Sequence, residues 1–399
     1  MPKAMIVDAV RIPRAVSSSD GAYAHLSPVD LLAPLYQALE QRNGFDSAEV
    51  EDVLLGCATQ TGAQGANLGK ISSLYAGWSN SVSGTTVNRF CCSGLDAINL
   101  AASKIIAGME SLVVAGGVEQ LSRVPMFADK GAWYSEPKVM RATRFIHMGV
   151  AADVIASQQN YSREQLDQLS LQSQQRAEHA RQQGYFSPSV IPVLDSHGRA
   201  IITDDNAIRP KTTVESLGSL PASFSDFIEP SKALVKDVYP YAPLQALHSA
   251  GNSPALVDGA SLVLLASEQR CQQLGLTPRA SVRHFANASD EPVKMLTGHL
   301  RATEKLLRAC ELGADDIDLW EVNESFAASV LNYQQHFAID GQKLNVNGSA
   351  IALGHPLGAT GGNLLATLLD ELERRDLKRG VIAICGGAGV GVATLIERL

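Results

Sequence analysis

Two adjacent cysteines stand in the stretch "TTVNRFCCSGLDAINLAASKIIAG" (residues 85–108), where an apparent strand gives way to an apparent helix. Unpaired N–H groups and the helix dipole favour a thiolate at such a position, and an unperturbed thiol titrates near ~8.5. Cys91 and Cys92 are therefore candidate nucleophiles. Alternatively, both are small residues that pack a tight turn, because free cysteine is often buried.

A histidine suited to activating a thiol lies in "ALGHPLGATGG", between Gly354 and Pro356. Glycine-rich backbone can approach a ligand closely, and imidazole is the usual base for a thiol. His355 is therefore the candidate base, with a cap of the following helix as the other interpretation.

Two further stretches place polar groups at the ends of predicted strands. Cys385 ends the apolar run "VIAIC" and precedes "GGAGVG", whose N–H groups could hold an oxyanion. Asn323, in "EVNESFAAS", could orient a water or a substrate carbonyl. Taken singly, Cys385 could be a core residue and Asn323 a helix cap. Cys and His are not at zinc spacings, and no phosphate-binding loop is present.

The elements around these residues form a repeat. Both ends of the chain alternate apolar strands with helical patterns, which predicts α/β layers. Each end contains a V-N strand, a turn with glycine or serine, a long helix, a buried strand and a Gly-Gly. The pattern predicts two pseudo-symmetric halves, residues 1–121 with about 250–272 and residues 273–399, whose special turns meet.

The middle of the chain, residues 122–249, is more polar and has few long apolar strands. We interpret it as a long insertion that covers another part of the protein. One helix is clear within it, because Ser162 and Gln165 form a capping box and Gly184 provides a stop signal.

Composition excludes several classes of function. The chain has 399 residues, a net charge of −8 and no long apolar run, which argues against a broad nucleic-acid surface and a membrane span. The opening "MPKAMIVDAVRIP" goes almost at once into an apparent strand and predicts no signal peptide. Six cysteines without a regular framework indicate free thiols in a reducing compartment, so we expect a cytoplasmic protein.

Four stretches, "VNRFCCSGL", "NESFA", "GHPLGATGG" and "CGGAGVG", resemble in order and spacing the signature blocks of the thiolases. The resemblance runs essentially end to end. It implies an α/β thiolase fold, with two pseudo-symmetric halves in a five-layer α-β-α-β-α arrangement plus a loop domain. It also implies a homodimer or homotetramer that uses acyl-CoA and coenzyme A as substrates, with no bound cofactor and no metal.

By the same resemblance, Cys91 is the nucleophile and His355 takes its proton and donates to an oxyanion. Cys385 acts as acid and base on the acetyl-CoA α-carbon or on the CoA thiol. Asn323 holds a water that, with His355, stabilises the enolate oxygen. The N–H groups of Cys91 and Gly387 form a second oxyanion hole, because the reaction creates both an alkoxide and an enolate. Cys92 takes a position usually held by a small residue.

The resemblance also suggests substrate-binding residues. His147, Met148 and Phe326 match residues that line the pantetheine and acyl pocket, and Ser253 is a candidate CoA contact. Pro254 takes the position at which relatives often have a CoA-binding serine. Before it, the 225–248 segment is longer than in compact biosynthetic thiolases.

The expected reaction is CoA-dependent cleavage of 3-ketoacyl-CoA to acetyl-CoA and a shortened acyl-CoA, or the reverse condensation, through an acyl-Cys91 intermediate. We expect a role in fatty-acid β-oxidation. A short-chain acetyl-CoA acetyltransferase is the alternative enzyme, and a non-catalytic acyl-CoA-binding scaffold the alternative of another class. Ketoacyl synthases pair their cysteine with two histidines, whereas this chain supplies one histidine and a second cysteine.

Overall fold

The computed structural model describes residues 3–240 and 243–399. Met1 and Pro2 of the predicted opening, and Tyr241 and Ala242 of the 225–248 segment, lie outside the described residues. The strands are β1 (Ala4–Arg11), β2 (Ala15–Val16), β3 (Asp52–Gly56), β4 (Thr85–Val87), β5 (Leu112–Glu119), β6 (Val257–Ser267), β7 (Ala280–Ser289), β8 (Leu319–Val322), β9 (Arg379–Cys385) and β10 (Val390–Arg398).

The α-helices of the described ranges are α1 (Pro28–Asn43), α2 (Leu68–Tyr75), α3 (Ser93–Ile106), α4 (Ala132–Ser135), α5 (Pro137–Ala142), α6 (Met148–Gln158), α7 (Arg163–Gln182), α8 (Val214–Gly218), α9 (Ser225–Val238), α10 (Glu268–Leu274), α11 (Gly298–Cys310), α12 (Ala327–His336), α13 (Ala350–Leu353) and α14 (Thr360–Arg374).

The strands form two half-sheets with matching topology. The first has the order β4-β3-β5-β6-β1 and the second β7-β10-β9-β8, and a short antiparallel pairing of β1 with β7 joins them. In each half, a parallel pair (β3 with β5, β8 with β9) is followed by two antiparallel neighbours (β6 and β1, β10 and β7). The predicted pseudo-symmetry of the two halves is confirmed.

The layers follow from alternation along the strands, whose successive side chains point to opposite faces. In β5, Leu112 and Val114 pack with α1 on the outside, whereas Val113 and Ala115 pack with α3 and α14 on the inside. The second half packs its outer face on α11 and α12. The order of the layers is therefore helix, sheet, helix, sheet, helix. Burial of each large apolar side chain between these layers contributes about 1.5–3 kcal/mol to the free energy of unfolding.

The segment 122–249 contributes helices α4 to α9 and, in its described residues, no strand of the sheet. The predicted capping box of α7 is present, because Ser162 Oγ accepts from the Gln165 N–H at 3.2 Å and Gln165 Oε1 accepts from the Ser162 N–H at 2.8 Å. Gly184 follows the helix in the left-handed region, with φ of 71°.

A buried ion cluster fixes this segment to the first strand. Asp205 accepts from the guanidinium groups of Arg11 and Arg14, both at 2.9 Å, and from the Arg14 N–H at 2.7 Å. Burial by itself would raise the pKa of Asp205, but the two guanidinium groups hold it well below its usual range. The charge is therefore compensated, and the segment is held in place.

Gly117 provides a test of how tightly the halves meet. A Cβ atom at Gly117 would overlap the carbonyl oxygen of Gly358, which comes from the other half. Overpacking of this kind costs about 1–3 kcal/mol or more, so Gly117→Ala should lower the melting temperature by several degrees. Gly218→Ala is the control, because a Cβ there meets no atom within 4 Å. Equal melting temperatures for the two variants would contradict the close approach.

Candidate active site

Cys91 lies in a strained turn between β4 and α3. Asn88 Oδ1 accepts from the Phe90 N–H at 2.7 Å, and Phe90 has a φ of 49°, in the left-handed region that non-glycine residues rarely adopt. The Cys92 N–H then donates to the Arg89 carbonyl, and α3 begins at Ser93. Strain of this kind costs about 1–3 kcal/mol and is common at functional sites.

The turn presents Cys91 to a cavity of about 230 Å³. Its lining combines residues of the turn, of the 122–249 segment and of the glycine-rich loops, among them Phe90, Trp133, Met148 and Gly387. The rings of Phe90 and Trp133 lie 5.1 Å apart. Sequence reasoning missed this aromatic wall, for which "GAWYSEP" in the insertion was the available signal.

The surroundings of Cys91 favour its neutral thiol. Burial, followed by the nearby Cys385 and Glu119, raises the pKa of Cys91 to about 12, although the N–H groups of Cys91 and Gly387 lower it in part. This direction is opposite to the stabilisation of a resting thiolate that the helix N-terminus was expected to provide. Loss of solvation outweighs the helix dipole at this sulfur.

Cys92 belongs to the core. Its side chain is fully buried, and its Sγ lies 3.3 Å from the carbonyl oxygen of Ile384. Burial raises the pKa of Cys92 well above its ordinary value. The second thiol of the pair thus packs between the halves and does not reach the cavity lining.

His355 is held from both sides. Its N–H donates to the Ala255 carbonyl at 2.9 Å, and its Nδ1 lies 2.8 Å from Thr360 Oγ1. Nε2 has no hydrogen-bond partner among the described residues. Burial lowers the pKa of His355 to about 4, so the ring is neutral at physiological pH. In the tautomer that donates Nδ1–H to Thr360 Oγ1, Nε2 is left as a base.

Cys385 and Asn323 meet through a serine. Cys385 is fully buried at the end of β9, with Sγ 3.2 Å from Ser325 Oγ, and Asn323 Nδ2 donates to the same oxygen at 2.9 Å. Asn323 is itself fixed by its N–H, which donates to the Ala383 carbonyl. Burial raises the pKa of Cys385. Cys385 is close enough to raise the pKa of Cys91, so both thiols belong to one site.

A buried carboxylate that sequence reasoning missed holds these loops together. Glu119, at the end of β5, accepts from the N–H groups of Ala58 at 2.8 Å, Thr59 at 3.1 Å and Gly358 at 3.0 Å, and from Gln64 Nε2 at 2.7 Å. The available signal was an acidic residue directly after the apolar run "LVVAGGV".

Of the two residues proposed from "HMG", Met148 lines the cavity and His147 does not. His147 instead caps α6, because its Nδ1 accepts from the Gly149 N–H at 3.1 Å. Its ring stacks on Phe227 of α9 with centroids 4.4 Å apart. Within the 225–248 segment, α9 (Ser225–Val238) is thus an amphipathic helix packed on α6.

Phe326 and Ser253 also lie outside the lining of the cavity. Phe326 is buried between Phe224 and His248, whose ring centroids are 5.8 and 5.5 Å away. Ser253 is half-buried and donates its hydroxyl to the Ser249 carbonyl at 2.8 Å. Their proposed contacts with CoA stay predictions.

Comparisons with known proteins find thiolases along essentially the whole chain. The family models described as thiolase N-terminal domain and thiolase C-terminal domain match residues 4–227 and 276–398. A 3-ketoacyl-CoA thiolase of Aliivibrio fischeri is 38% identical over 407 residues, with 100% of both chains covered. A 3-oxoadipyl-CoA/3-oxo-5,6-dehydrosuberyl-CoA thiolase of Escherichia coli is 36% identical over 421 residues, again with 100% of both covered. The crystal structure of Bacillus anthracis acetyl-CoA acetyltransferase matches with a TM-score of 0.87 and 32% identity, covering 100% of this chain and 99% of that one.

The protonation state of Cys91 can be tested by alkylation. Iodoacetamide reacts with the thiolate, so the rate at Cys91, measured by peptide mass spectrometry, should rise about tenfold per pH unit from pH 7 to 10 without a plateau. His355→Gln should leave this profile unchanged, because a neutral imidazole does not stabilise a thiolate. A plateau below about pH 8 that disappears in His355→Gln would instead show a resting ion pair.

Proposed function

The chain belongs to the thiolase family, and on that basis we propose that it cleaves 3-ketoacyl-CoA with coenzyme A to give acetyl-CoA and a shortened acyl-CoA. The observation that carries the proposal is the pair of thiols in one site. Cys91 lines the cavity, and Cys385, a close neighbour of Cys91, has hydroxyl partners. One thiol can carry an acyl group while the other moves protons.

The first half-reaction uses Cys91 as nucleophile. His355 Nε2 takes the proton of Cys91 as its sulfur attacks the 3-keto carbon, and the N–H groups of Cys91 and Gly387 stabilise the alkoxide. The C2–C3 bond then breaks, and its electron pair forms the enolate of acetyl-CoA. The enolate oxygen is stabilised by His355 and by a water on Asn323. Cys385 gives its proton to C2 and becomes a thiolate.

The second half-reaction restores both thiols. The CoA thiol gives its proton to the Cys385 thiolate and attacks the acyl carbonyl on Cys91. The Cys91 sulfur leaves and takes back the proton held by His355. A neutral thiol and a neutral imidazole at rest suit this scheme, because proton transfer and attack can then occur together at the substrate carbon.

The cavity favours an apolar acyl chain. Phe90, Trp133 and Met148 give it an apolar wall, and none of its described lining residues is Lys or Arg. Its one charged lining residue, Asp129, is exposed at the rim. A buried substrate carboxylate would therefore lack a partner, which costs several kcal/mol. We infer a substrate class like that named for the A. fischeri relative, with a role in fatty-acid degradation.

A short-chain acetyl-CoA acetyltransferase is the second candidate. The structural similarity to the B. anthracis enzyme supports it, and one set of catalytic groups runs the reaction in both directions. The two candidates differ in how kcat/KM changes with chain length, because each buried methylene contributes roughly 0.8 kcal/mol.

We further propose a homodimer or homotetramer. Edge strand β4 and the exposed apolar residues Ile71, Leu74 and Tyr75 of α2, which packs beside it, offer a surface for a second copy. We also propose that segment 122–249 is the domain covering the active site, since Trp133 and Met148 line the cavity.

A cytoplasmic location fits the six free cysteines. In the described part of the chain, no helix combines the length and apolarity that a membrane crossing requires.

The division of roles between the thiols predicts three different phenotypes. Cys91→Ala should lose thiolysis of acetoacetyl-CoA and the acetyl label that acetyl-CoA leaves on the protein, whereas Cys92→Ser should keep most activity. Cys385→Ser should still become acetylated on Cys91 but should not complete condensation. Acetyl found on Cys92 by mass spectrometry, or a folded Cys385→Ser protein that cannot be acetylated, would overturn these roles.

Substrate preference tests the apolar cavity. We expect kcat/KM to increase several-fold for each carbon pair beyond acetoacetyl-CoA, and to be at least about tenfold lower for an ω-carboxylated 3-ketoacyl-CoA of equal length. Asp129→Asn should change that discrimination only a few-fold, because solvent screens an exposed charge. A kcat/KM that falls from the four-carbon substrate upward would favour the short-chain acetyltransferase.

A further inference from the structure

We propose that the hydroxyl groups of Ser325 and Ser329 are positioning groups that stabilise the thiolate of Cys385 each time it gives up its proton. The inference rests on the proposed function, and it gives a role to two residues that have none in the reaction scheme above. Both hydroxyls flank the sulfur, Ser325 Oγ at 3.2 Å and Ser329 Oγ at 3.7 Å.

Ser325 is arranged to reverse its hydrogen bond. Its oxygen accepts from the Cys385 thiol and from Asn323 Nδ2, and its own proton has no acceptor in the hydrogen bonds of the described residues. When Cys385 loses its proton to the substrate carbon, the Ser325 hydroxyl can turn and donate to the sulfur. Asn323 Nδ2 continues to donate to the same oxygen, which keeps the hydroxyl in place.

Ser329 provides a second donor from the other side. Its hydroxyl donates to the Leu296 carbonyl at 3.0 Å and lies 3.5 Å from His299 Nε2. When the Cys385 thiolate forms, the Ser329 hydroxyl can rotate so that it donates to the sulfur and no longer to the Leu296 carbonyl. A hydrogen bond to a charged acceptor is about twice as strong as one to a neutral acceptor. In the tautomer that carries its proton on Nε2, His299 then donates to Ser329 Oγ.

The backbone fixes this geometry. Ser325 directly precedes Phe326, the N-cap of α12, and Ser329 lies in the first turn of that helix. The sulfur therefore faces the N-terminal end of a helix, where the helix dipole also favours negative charge. Cys385 cannot move away, because it ends β9 beside β10 and is fully buried.

The other titratable groups around the sulfur are neutral or point elsewhere. Cys91 and Cys92 have raised pKa values, so both are thiols at rest. Burial lowers the pKa of His299 to about 3, so its ring is neutral. Glu324 directs its carboxylate to Ser173, Asn345 and the Ile351 N–H, away from Cys385. Among the described residues, the two hydroxyls are therefore the side-chain donors available to a Cys385 thiolate, beside its own backbone N–H.

The experiment compares two half-reactions of acetyl-CoA. Acetylation of Cys91, followed by mass spectrometry, uses Cys385 only as the proton source for the departing CoA thiolate, which water can replace. Exchange of the acetyl-CoA methyl protons with D₂O, followed by NMR, needs the Cys385 thiolate as base. Ser325→Ala and Ser329→Ala should each acetylate within about twofold of the unmodified protein. Their rate of exchange should fall several-fold at pH 7. The pH range over which the exchange rate rises, the pH limb, should shift up by about one unit, which corresponds to a tenfold change in the thiolate fraction of Cys385.

Two further variants separate this role from a structural one. Ser170→Ala removes a buried hydroxyl that bonds only the Leu166 carbonyl, and it should leave the pH limb unmoved. Ser329→Thr keeps the hydroxyl and should restore the limb. Melting temperatures establish that each variant is folded. An unmoved limb in both alanine variants, or an equal loss of acetylation and exchange, would overturn the proposal.

A substrate-free titration keeps the inference independent of the proposed function. Subtracting the thiolate absorbance of a Cys91→Ala, Cys385→Ser protein from that of Cys91→Ala isolates the titration of Cys385. Adding Ser325→Ala or Ser329→Ala should move that titration up by about one pH unit. If the unmodified protein neither acetylates nor exchanges but the titration still moves, the proposed function fails while the assigned role of the serines stands. A titration that does not move rejects the role of the serines.

Discussion

The Glu119 carboxylate is the interaction on which the site depends. A buried carboxylate is costly unless hydrogen bonds satisfy it, and Glu119 reaches that state only when the backbone after β3 and the backbone at Gly358 both come to it. Gly358 is three residues beyond His355, so the same carboxylate that joins the halves also places the base. Gly117 and Gly358 approach so closely that a Cβ atom at Gly117 would not fit between them.

Loss of solvation sets the chemistry of the site. Burial raises the pKa of Cys91 and Cys385 and lowers that of His355, which favours the neutral form of all three groups at rest. Charge then forms only as the reaction proceeds, at places where N–H groups or hydroxyls are already oriented. Such preorganised donors act more strongly in a site of low dielectric constant than in water.

Most of the fold could be predicted from the sequence because its signals are local. The strand–helix alternation, the capping box at Ser162 and the repeat around the two V-N strands all concern residues close in the chain, and the structure confirms them. The resting charge of Cys91 could not be predicted in this way. It depends on how much protein surrounds the sulfur, and the helix dipole that the sequence suggested is the weaker effect there.

The sequence by itself determined which residue types stand at the turns, because the order of the motifs and the ends of the strands can be read from local patterns. These patterns were sufficient to select Cys91, Asn323, His355 and Cys385. Only the tertiary structure decided their neighbours. Packing brought Glu119 to Gly358, placed Ser329 beside Cys385 and put Phe326 in the core. These contacts join residues far apart in the chain, and local periodicity carries no information about which distant groups close packing brings together.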